Sequence, residues 1–313
     1  AIARLGDACD VVTTEFENPP AATLTALERR TVVAPPPSAV AIAQDRIAEK
    51  TFLGDNGFPL GPWGVVADDA ADPDLRFPAI VKTARLGYDG KGQRRVDDRS
   101  EMRAAWRLLG SVPCVLESAL DLDAEVSVVV ARSFDGAFAS YPVAENVHVD
   151  GILDLTVVPA RLPVGLADRA VGLGMAIVDA LDYVGVLAVE FFVVGGELLV
   201  NELAPRPHNS GHWTLDAAVT SQFEQQIRAV CGLALGDTSL VCGGAAMANL
   251  LGDLWDDGEP NWAAALDGGT SALHLYGKAA PRPGRKMGHV TAWGETADVA
   301  RIKALEARSA LVG

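Results

Sequence analysis

Two apolar runs on either side of Gly195-Gly196 constrain the fold more than any other feature of this chain. Residues 184–194 and 197–202 have the length and apolar content of strands, and a Gly-Gly pair suits the tight turn of a hairpin. The second run leads into a polar loop that Pro205 and Pro207 stiffen, because proline fixes φ and removes a backbone donor. The loop carries side chains suited to anions: Arg206, His208, Asn209, Ser210 and His212. This pattern is typical of a site for a metal ion and an oxyanion, and a polar surface loop is the alternative.

The hairpin also carries Glu190 and Glu202, one on each arm, and two carboxylates suit Mg²⁺ held against phosphate oxygens. A two-residue turn would place Asn201 opposite Glu190 and direct Glu202 to the other face of the hairpin. A three-residue loop or a β-bulge would return both glutamates to one face. A shared Mg²⁺ therefore predicts one of these irregularities, and two solvated carboxylates are the alternative.

Length and charge limit the class of protein. The chain has 313 residues, enough for two or three domains, and its formal net charge is −15. Duplex nucleic acid and anionic membranes are bound by basic surfaces, and no apolar run reaches the roughly 18 residues of a membrane helix. We therefore expect small-molecule partners, with no nucleic acid and no membrane. The four cysteines are far apart in sequence, which favours reduced thiols in a cytoplasmic protein.

The periodicity of the chain predicts an α/β fold. Ser38 is a candidate cap for one helix in which Val40, Ala43 and Ile47 share a face. A later helix is predicted to place Val219, Phe223, Ile227 and Val230 on one side. Strand-like runs after residue 244 predict a smaller β-rich unit packed onto the middle of the chain. The expected domains are residues 1–37, 38–235 (subdomains 38–120 and 121–235) and 236–313.

A glycine-rich loop predicts a phosphate-binding flap. It lies between two predicted strands and consists of Gly87, Tyr88, Asp89, Gly90, Lys91, Gly92 and Gln93. Its backbone amides can approach a polyphosphate closely, and Lys82 on the preceding strand would add an ammonium group. The alternative for the glycines is a plain hairpin turn.

Other candidates carry weaker signals. Glu117 ends a strand and, with Ser118, Ala119 and Leu120, could bind an adenine edge through backbone groups. Glu125 could accept hydrogen bonds from ribose hydroxyls, and His148 either contacts phosphate or is a turn histidine. Lys278 and Arg285 belong to a second stiff cationic segment, which suits a substrate phosphate or is a solvated basic turn.

Taken in order, these segments resemble the ATP-grasp superfamily and, within it, the N5-carboxyaminoimidazole ribonucleotide synthase family. The resemblance covers nearly the whole chain. It rests on residues 15–18, 43–46, 87–93, 146–152, 201–213 and 282–289. The flap and the Asn201-Glu202 pair are shared across much of ATP-grasp, whereas residues 206–213 and 282–286 are more specific to this family.

The resemblance implies an α+β ATP-grasp fold, with a partial pre-ATP-grasp unit before it and a small β-rich domain after it. It implies carboxylation of the exocyclic amine of 5-aminoimidazole ribonucleotide with ATP and bicarbonate, through carboxyphosphate, in a homodimer. The residues implied to hold ATP are Arg46, Lys82, 87–93, 117–120, Glu125, His148, Asn201 and Glu202, with two Mg²⁺ on Glu190 and Glu202. Catalysis is implied for Arg206, His208, Lys278 and Asp89, and ribonucleotide binding for these four with Tyr88, Asn209, Ser210 and Arg285.

The sequence departs from this family pattern at its start, since the βαβ unit with a glycine-rich turn that normally opens the family is missing before Ala1. We expect the chain to be N-terminally incomplete, and a molecule lacking that unit to keep ATP binding better than ribonucleotide binding. The closest rival is another ATP-grasp ligase, such as formate-dependent glycinamide ribonucleotide transformylase. A non-catalytic nucleotide-binding relative is the rival from a different class.

Overall fold

The computed structural model describes residues 1–87 and 89–312, and within them the strands form three sheets. The strands are β1 Val11–Val12, β2 Val32–Val33, β3 Trp63–Val66, β4 Ala79–Thr83, β5 Gln93–Val96, β6 Cys114–Ser118, β7 Ala124–Arg132, β8 Phe138–Ser140, β9 Ala144–Val149, β10 Ile152–Val158, β11 Gly185–Val194, β12 Glu197–Ala204, β13 Gly244–Leu251, β14 Ser271–Leu275 and β15 Lys286–Gly294.

The α-helices pack on these sheets, and two short 3₁₀ turns lie at Asn209–Gly211 and Gly252–Trp255. No helix of the described part of the chain is long and apolar enough to cross a membrane. The helices are α1 Ile2–Ala8, α2 Ala21–Glu28, α3 Pro37–Ala43, α4 Arg46–Asp55, α5 Arg99–Leu108, α6 Val164–Ala180, α7 Thr214–Ala217, α8 Gln222–Val230, α9 Trp262–Leu266 and α10 Ala297–Ser309.

A large antiparallel sheet organises the molecule. Its strand order is β12-β11-β7-β9-β10-β13-β15-β14, with β8 paired to β7. Helix α6 covers one face, where Gly174 is needed because a Cβ there would lie 2.8 Å from Val128 Cγ1. A four-stranded antiparallel sheet, β3-β6-β4-β5, carries helix α5, and β1 and β2 form a short parallel pair. The two larger sheets position the candidate site.

The C-terminal strands continue the large sheet. Strand β10 pairs with β13 from Leu155↔Ala248 to Val158↔Ala245, and β13 pairs in turn with β15. The sequence predicts a smaller β-rich unit packed onto the middle of the chain, and in the structure its strand β13 pairs edge to edge with β10. The expected domain boundaries at residues 37, 120 and 235 stay predictions.

The single helix expected after Ser38 is two helices. Helix α3 ends at Ala43, and α4 starts after Asp45, whose carboxylate accepts the amides of Ile47 and Ala48 at 3.0 and 3.4 Å. Ser38 is not the cap, because Pro36 occupies that position. An extended capping aspartate breaks the periodic pattern that the apolar spacing suggests.

Helix α8 turns the other way from the prediction. Of the side chains expected to pack, Val230 is buried as predicted, but Val219, Phe223 and Ile227 are 55%, 37% and 53% exposed. Gln222, Gln225 and Gln226 are buried instead. The buried amides bond to the backbone: Gln226 accepts the amide of Val186 at 2.6 Å, and Gln225 exchanges hydrogen bonds with Gly236. Hydrogen bonding to neighbouring backbone outweighs the apolar pattern here.

Candidate active site

A cavity of about 850 Å³ lies between the large and small sheets, and residues 15–18 from the N-terminal segment complete its wall. Two-thirds of the predicted site residues line it. These are Arg46, Lys82, Gly87, Asp89, Gly90, Lys91, Gln93, Glu125, His148, Glu190, Asn201, Glu202, Arg206, His208, Asn209 and Lys278. Among the described residues, the predicted ones that do not line it are Gly92, Glu117, Ser118, Ala119, Leu120, Ser210 and Arg285. Tyr88 lies outside the described residues.

The hairpin combines a two-residue turn with a bulge. Gly195 and Gly196 have φ values of +57° and +78°, which suit the turn that pairs Val194 with Glu197. The register then shifts between Glu190 and Phe191, which pair with Glu202 and Val200, so Asn201 is the extra residue. The predicted irregularity is therefore a bulge at Asn201, away from the glycines, and it places Glu202 opposite Glu190.

This carboxylate pair has the character of a cation site. Burial first, and then the charge of Glu202, raises the pKa of Glu190 to about 7. Burial and Glu202 also raise the pKa of Glu49, which accepts the amide of Leu203 at 2.6 Å. Arg46 lies 3.0 Å from Glu202. Burial and the charge of Glu202 raise the pKa of both Glu190 and Glu49, as expected of clustered carboxylates that a cation would stabilise. The carboxylate oxygens of Glu190 and Glu202 with the amide oxygen of Asn201 fit Mg²⁺.

Two lysines form ion pairs with Glu117, which lies on strand β6 of the small sheet. Lys82 Nζ lies 2.8 Å and Lys50 Nζ 3.2 Å from its carboxylate oxygens. Burial alone would raise the pKa of Glu117, but Lys82 and Lys50 lower it to about 2. The sequence analysis missed Lys50, although it lies four residues after Arg46 on α4 and thus on the same helix face.

In residues 117–120, the segment expected to bind an adenine edge, some of the backbone groups already form hydrogen bonds within the protein. The amides of Ser118 and Ala119 donate to the carbonyls of Pro62 and Pro78 at 3.1 and 2.9 Å. The Ser118 hydroxyl donates to the Arg76 carbonyl. The adenine contact expected of this segment stays a prediction.

The glycine-rich flap approaches the turn between β9 and β10. A Cβ on Gly90 would lie 2.7 Å from the Asp150 carbonyl, and one on Gly92 would lie 2.7 Å from Thr83 Oγ1. Asp89 pairs with Lys286 at 2.8 Å, a partner that the sequence analysis left out of the site. His148 lies on β9, and its Nδ1 is 3.0 Å from Glu125 Oε2. Burial lowers the pKa of His148, but the hydrogen bond and charge of Glu125 outweigh it, so the net change is upward.

The proline-stiffened loop is held from both sides. Arg206 pairs with Glu17 of the N-terminal segment at 2.6 Å and donates to the Pro207 carbonyl at 2.8 Å. The side chain of Gln222 accepts the His208 amide at 2.9 Å and donates to the His208 carbonyl at 2.7 Å. Burial, followed by the charges of Arg206 and Lys286, holds the pKa of His208 well below its usual value. His208 is therefore neutral at physiological pH.

The C-terminal cationic segment contributes one of its two predicted residues to the cavity. Lys278 donates to the Lys286 carbonyl and lies 5.3 Å from the centroid of the Tyr276 ring. Burial and the nearby Arg285 and Lys286 lower the pKa of Lys278. Arg285 itself donates to the Ala280 carbonyl at 2.8 Å.

Asp216, His274 and His289 also lie close together beside the cavity, with His274 Nε2 3.0 Å from Asp216 Oδ2. The two imidazoles stack with centroids 4.7 Å apart and planes only 18° from parallel. A metal bonds to imidazole in the plane of the ring, so stacked rings do not direct their nitrogens to one ion. This cluster fits hydrogen-bonded and stacked side chains better than a metal site.

Family models match three consecutive parts of the chain. Residues 1–44 match the ribonucleotide synthetase preATP-grasp domain, residues 51–223 match the ATP-grasp domain, and residues 245–303 match the phosphoribosylaminoimidazole carboxylase C-terminal domain. The fold and the cavity between its two sheets thus define an ATP-grasp enzyme, as the sequence analysis predicts.

Similar proteins identify the family within the ATP-grasp enzymes. The chain is 47% identical over 298 residues to an N5-carboxyaminoimidazole ribonucleotide synthase of Brucella melitensis, covering 93% of this chain and 81% of the relative. The crystal structure of the corresponding synthetase from Thermus thermophilus is 41% identical, with a TM-score of 0.90 and coverage of 100% and 84% of the two chains. The chain belongs to the N5-carboxyaminoimidazole ribonucleotide synthase family.

A further neighbour carries ligands. The synthase of Aspergillus clavatus in complex with ADP and 5-aminoimidazole ribonucleotide is 26% identical, with a TM-score of 0.87 and coverage of 99% and 84%. That structure shows a nucleotide and a ribonucleotide bound to one such enzyme.

Proposed function

We propose that this chain carboxylates the exocyclic amine of 5-aminoimidazole ribonucleotide, using ATP and bicarbonate and releasing ADP and phosphate, in purine biosynthesis. One observation carries the proposal beyond family membership. A single cavity brings the Glu190–Glu202 pair, Lys82 and the flap together with Arg206 and His208 of the proline-stiffened loop. The first group suits the phosphates of ATP, and the second suits the smaller anions that the reaction consumes and forms.

In the first half-reaction, an oxygen of bicarbonate attacks the γ-phosphorus, the bond to the β-phosphate oxygen breaks, and ADP leaves with carboxyphosphate as the other product. Phosphoryl transfer needs positioning and positive charge more than covalent help from the protein. Lys82 and Arg46 are the cations we assign to the phosphates, and the amides of residues 87–93 cover them. Bound Mg²⁺, for which Glu190, Glu202 and Asn201 are suited, would neutralise phosphate charge, and two ions are expected.

In the second half-reaction, the amine nitrogen attacks the carboxyl carbon, the carbon–oxygen bond to phosphate breaks, and the leaving phosphate takes the proton that the amine loses. Arg206, His208 and Lys278 are assigned to hold bicarbonate and the carboxylated intermediate. Asp89 is assigned to orient the amine, and Asn209 to contact the ribonucleotide. Roles for Tyr88, Ser210 and Arg285 in ribonucleotide binding stay predictions.

The cavity must also keep water from the mixed anhydride, which water hydrolyses. The contact between Gly90 and Asp150 supports this role for the flap, because a side chain on the glycine would hold the two segments apart. Closing the flap against the β9–β10 turn would separate the reacting groups from solvent during both half-reactions.

We further propose a cytoplasmic homodimer. Phe223 and Ile227 lie four residues apart on one face of α8 and are 37% and 53% exposed, and Val219, in the segment before the helix, is 55% exposed. Phe223 also contacts the ring of His212, with centroids 5.3 Å apart, so this face adjoins the cavity wall. A second copy of the chain is the partner we assign to it.

The function is tested by phosphate release from ATP with each substrate omitted in turn. We expect release that requires both aminoimidazole ribonucleotide and bicarbonate, with a carboxylated product in equal amount. Release that depends on formate and glycinamide ribonucleotide would favour the transformylase activity instead. No release with any acceptor, despite ATP binding, would favour the non-catalytic alternative.

The metal assignment has its own test. Glu202→Gln should lower turnover at least about a hundredfold, because it removes a ligand whose charge Mg²⁺ needs beside the transferring phosphoryl group. Glu197→Gln on the exposed end of the same strand is the control and should leave turnover unchanged. Full activity of Glu202→Gln would rule out the assigned metal position.

A further inference from the structure

The ring of His208 has a defined tautomer. Its Nδ1 accepts the backbone amide of Ser210 at 3.3 Å and lies 2.9 Å from the Ser210 hydroxyl. A backbone amide can only donate, so Nδ1 carries a lone pair, and the one proton of the neutral ring is on Nε2. Nε2 lies 3.6 Å from Oε1 of Glu190, which also lines the cavity.

This one assignment determines the direction of a buried chain of hydrogen bonds. Because Nδ1 accepts, the Ser210 hydroxyl donates its only hydrogen to it and accepts from Ser127 Oγ at 2.9 Å. Ser127 has then used its own hydrogen, so it accepts from Asn146 Nδ2 at 2.9 Å. The oxygen of the Asn146 amide accepts from the Thr156 hydroxyl at 3.0 Å. Each donor in the chain therefore has one acceptor.

The chain is closed to solvent. Ser127, Ser210 and Thr156 are at most 1% exposed, and Asn146 is 5% exposed. Three of the four residues lie on adjacent strands of the large sheet, Ser127 on β7, Asn146 on β9 and Thr156 on β10. Such groups are costly to bury and no water competes for their hydrogen bonds, so each member restrains the next. Ser210 is fully buried at the end of the chain next to His208.

We propose that Ser210, Ser127 and Asn146 are positioning residues, which hold His208 as the Nε2–H tautomer and make it a neutral hydrogen-bond donor to the anionic oxygens of the reaction. This inference rests on the proposed function and deepens it. The opposite tautomer would direct a lone pair at bicarbonate or phosphate oxygen and repel it. The Ser210 amide and the chain of hydroxyls together keep Nδ1 an acceptor, which leaves Nε2–H to face an anion.

The tautomer can be measured without turnover. In protein labelled with ¹⁵N at its histidines, long-range ¹⁵N–¹H correlation spectra distinguish protonated from unprotonated ring nitrogens, and the chain has only five histidines. His208→Gln identifies the signals of interest. We expect wild-type His208 as the Nε2–H form. Ser210→Ala removes the hydroxyl donor to Nδ1 but keeps the backbone amide donor, so a detectable minor population of the other tautomer is expected, and Ser127→Ala should give a smaller change in the same direction.

Kinetics give the second readout. Weaker orientation of this donor should lower kcat severalfold in Ser210→Ala and less in Ser127→Ala, with the KM for ATP unchanged. Ser133→Ala is the control: Ser133 is 4% exposed, and its hydroxyl bonds to Asp135 away from the cavity. That variant should change neither the spectrum nor kcat.

Two outcomes would overturn the proposal: a His208 spectrum that is unchanged in both variants, or a changed tautomer with undiminished kcat. If Ser210→Ala does not fold, Ser127→Ala carries the same test. Failure of the proposed function is distinguishable, since wild-type protein would then show no turnover dependent on ribonucleotide and bicarbonate while the spectra still report the tautomer.

Discussion

At the scale of single residues, the site contains buried charged side chains that form ion pairs with one another. Glu117 is 9% exposed and lies between Lys50 and Lys82, so its carboxylate holds two ammonium groups beside the cavity. Removing one partner from such a group leaves uncompensated buried charge, which costs more than the intact pairing contributes. Glu117 therefore helps to position Lys82, the lysine that we assign to the phosphates.

Replacing this carboxylate should destabilise the protein. We expect Glu117→Gln to lower the free energy of unfolding by about 3 kcal/mol at pH 7, because two lysines lose their counter-charge. The folded-state pKa is depressed to about 2, so the stability that Glu117 provides is present above its usual pKa of 4.5 and lost as pH falls towards 2. Urea unfolding of both proteins between pH 7 and pH 3 should show the difference shrinking below pH 4.5.

The control for this change is Glu224→Gln, which breaks an exposed pair with Arg228 at 2.8 Å and should cost less than about 1 kcal/mol. A loss in Glu117→Gln no larger than in the control, or one independent of pH, would contradict the assigned pairing.

A site residue can be predicted from the sequence when it differs in character from the residues next to it in the chain. Lys82 ends an apolar strand, and Arg206 stands between two prolines, so each is visible as an exception to its surroundings. Lys50 and Glu49 occupy ordinary helix positions, and only the packing of α4 against the strands shows that they are buried at 3% and 1% exposure. Long-range pairing of this kind leaves no local pattern.

At the scale of elements, the flap depends on one glycine for two reasons. Gly90 has a φ of +73°, which disfavours any side chain, and its Cβ position lies 2.7 Å from the Asp150 carbonyl. Gly136 has a φ of +82° but has no atom within 4 Å of its Cβ position. Comparing substitutions at the two glycines therefore distinguishes the effect of backbone strain from the effect of the close contact between the flap and the β9–β10 turn.

Gly90→Ala should uncouple ATP use from carboxylation. We expect both Gly90→Ala and Gly136→Ala to lose about 1 kcal/mol of stability from the positive φ. Only Gly90→Ala should release roughly severalfold more phosphate per carboxylated product, because the flap is held away from the β9–β10 turn and water enters. Equal phosphate and product in Gly90→Ala would show that this contact does not exclude water.

The hairpin shows what element patterns can and cannot predict. Its two strands and Gly-Gly turn follow from the sequence, and the pairing of two carboxylates with a cation requires an irregularity. The position of the bulge at Asn201 depends on neighbours on both sides of the pair, including β7 along the other edge of β11. In α8 the apolar spacing predicted the wrong buried face. The buried face carries glutamines that bond to backbone groups of other segments, and the helix pattern contains no sign of those partners.

At the scale of the whole molecule, the exposed face of α8 bears on assembly. We expect Ile227→Asp to halve the mass of the particle in solution, because a buried charge opposes the contact with a second copy. Ile302→Asp on α10 is the matched control, since both isoleucines are 53% exposed. Analytical ultracentrifugation with light scattering gives the masses. A dimer that survives Ile227→Asp, or a wild-type monomer, would contradict the proposed interface.

The continuous sheet makes a prediction about folding. Strand β13 covers the edge of β10, and Leu155 and Val157 pack in one buried cluster with Ala246, Ala248 and Leu250. A chain ending after residue 243 would expose the edge of β10 and this apolar surface, so we expect it to aggregate.

Supplying residues 244–312 as a separate fragment in the same cell should restore soluble protein, because the missing strands can pair with β10 again. Soluble yield and far-ultraviolet circular dichroism measure the result. A soluble truncated chain with a native-like spectrum would mean that the sheet ends at β10 without penalty and that the C-terminal strands form an independent unit. The expected aggregation would instead mean that the two walls of the cavity fold together. Lys278 and Lys286 are on one wall, Glu190 and Glu202 are on the other, and all four residues lie on strands of the large sheet or directly after them.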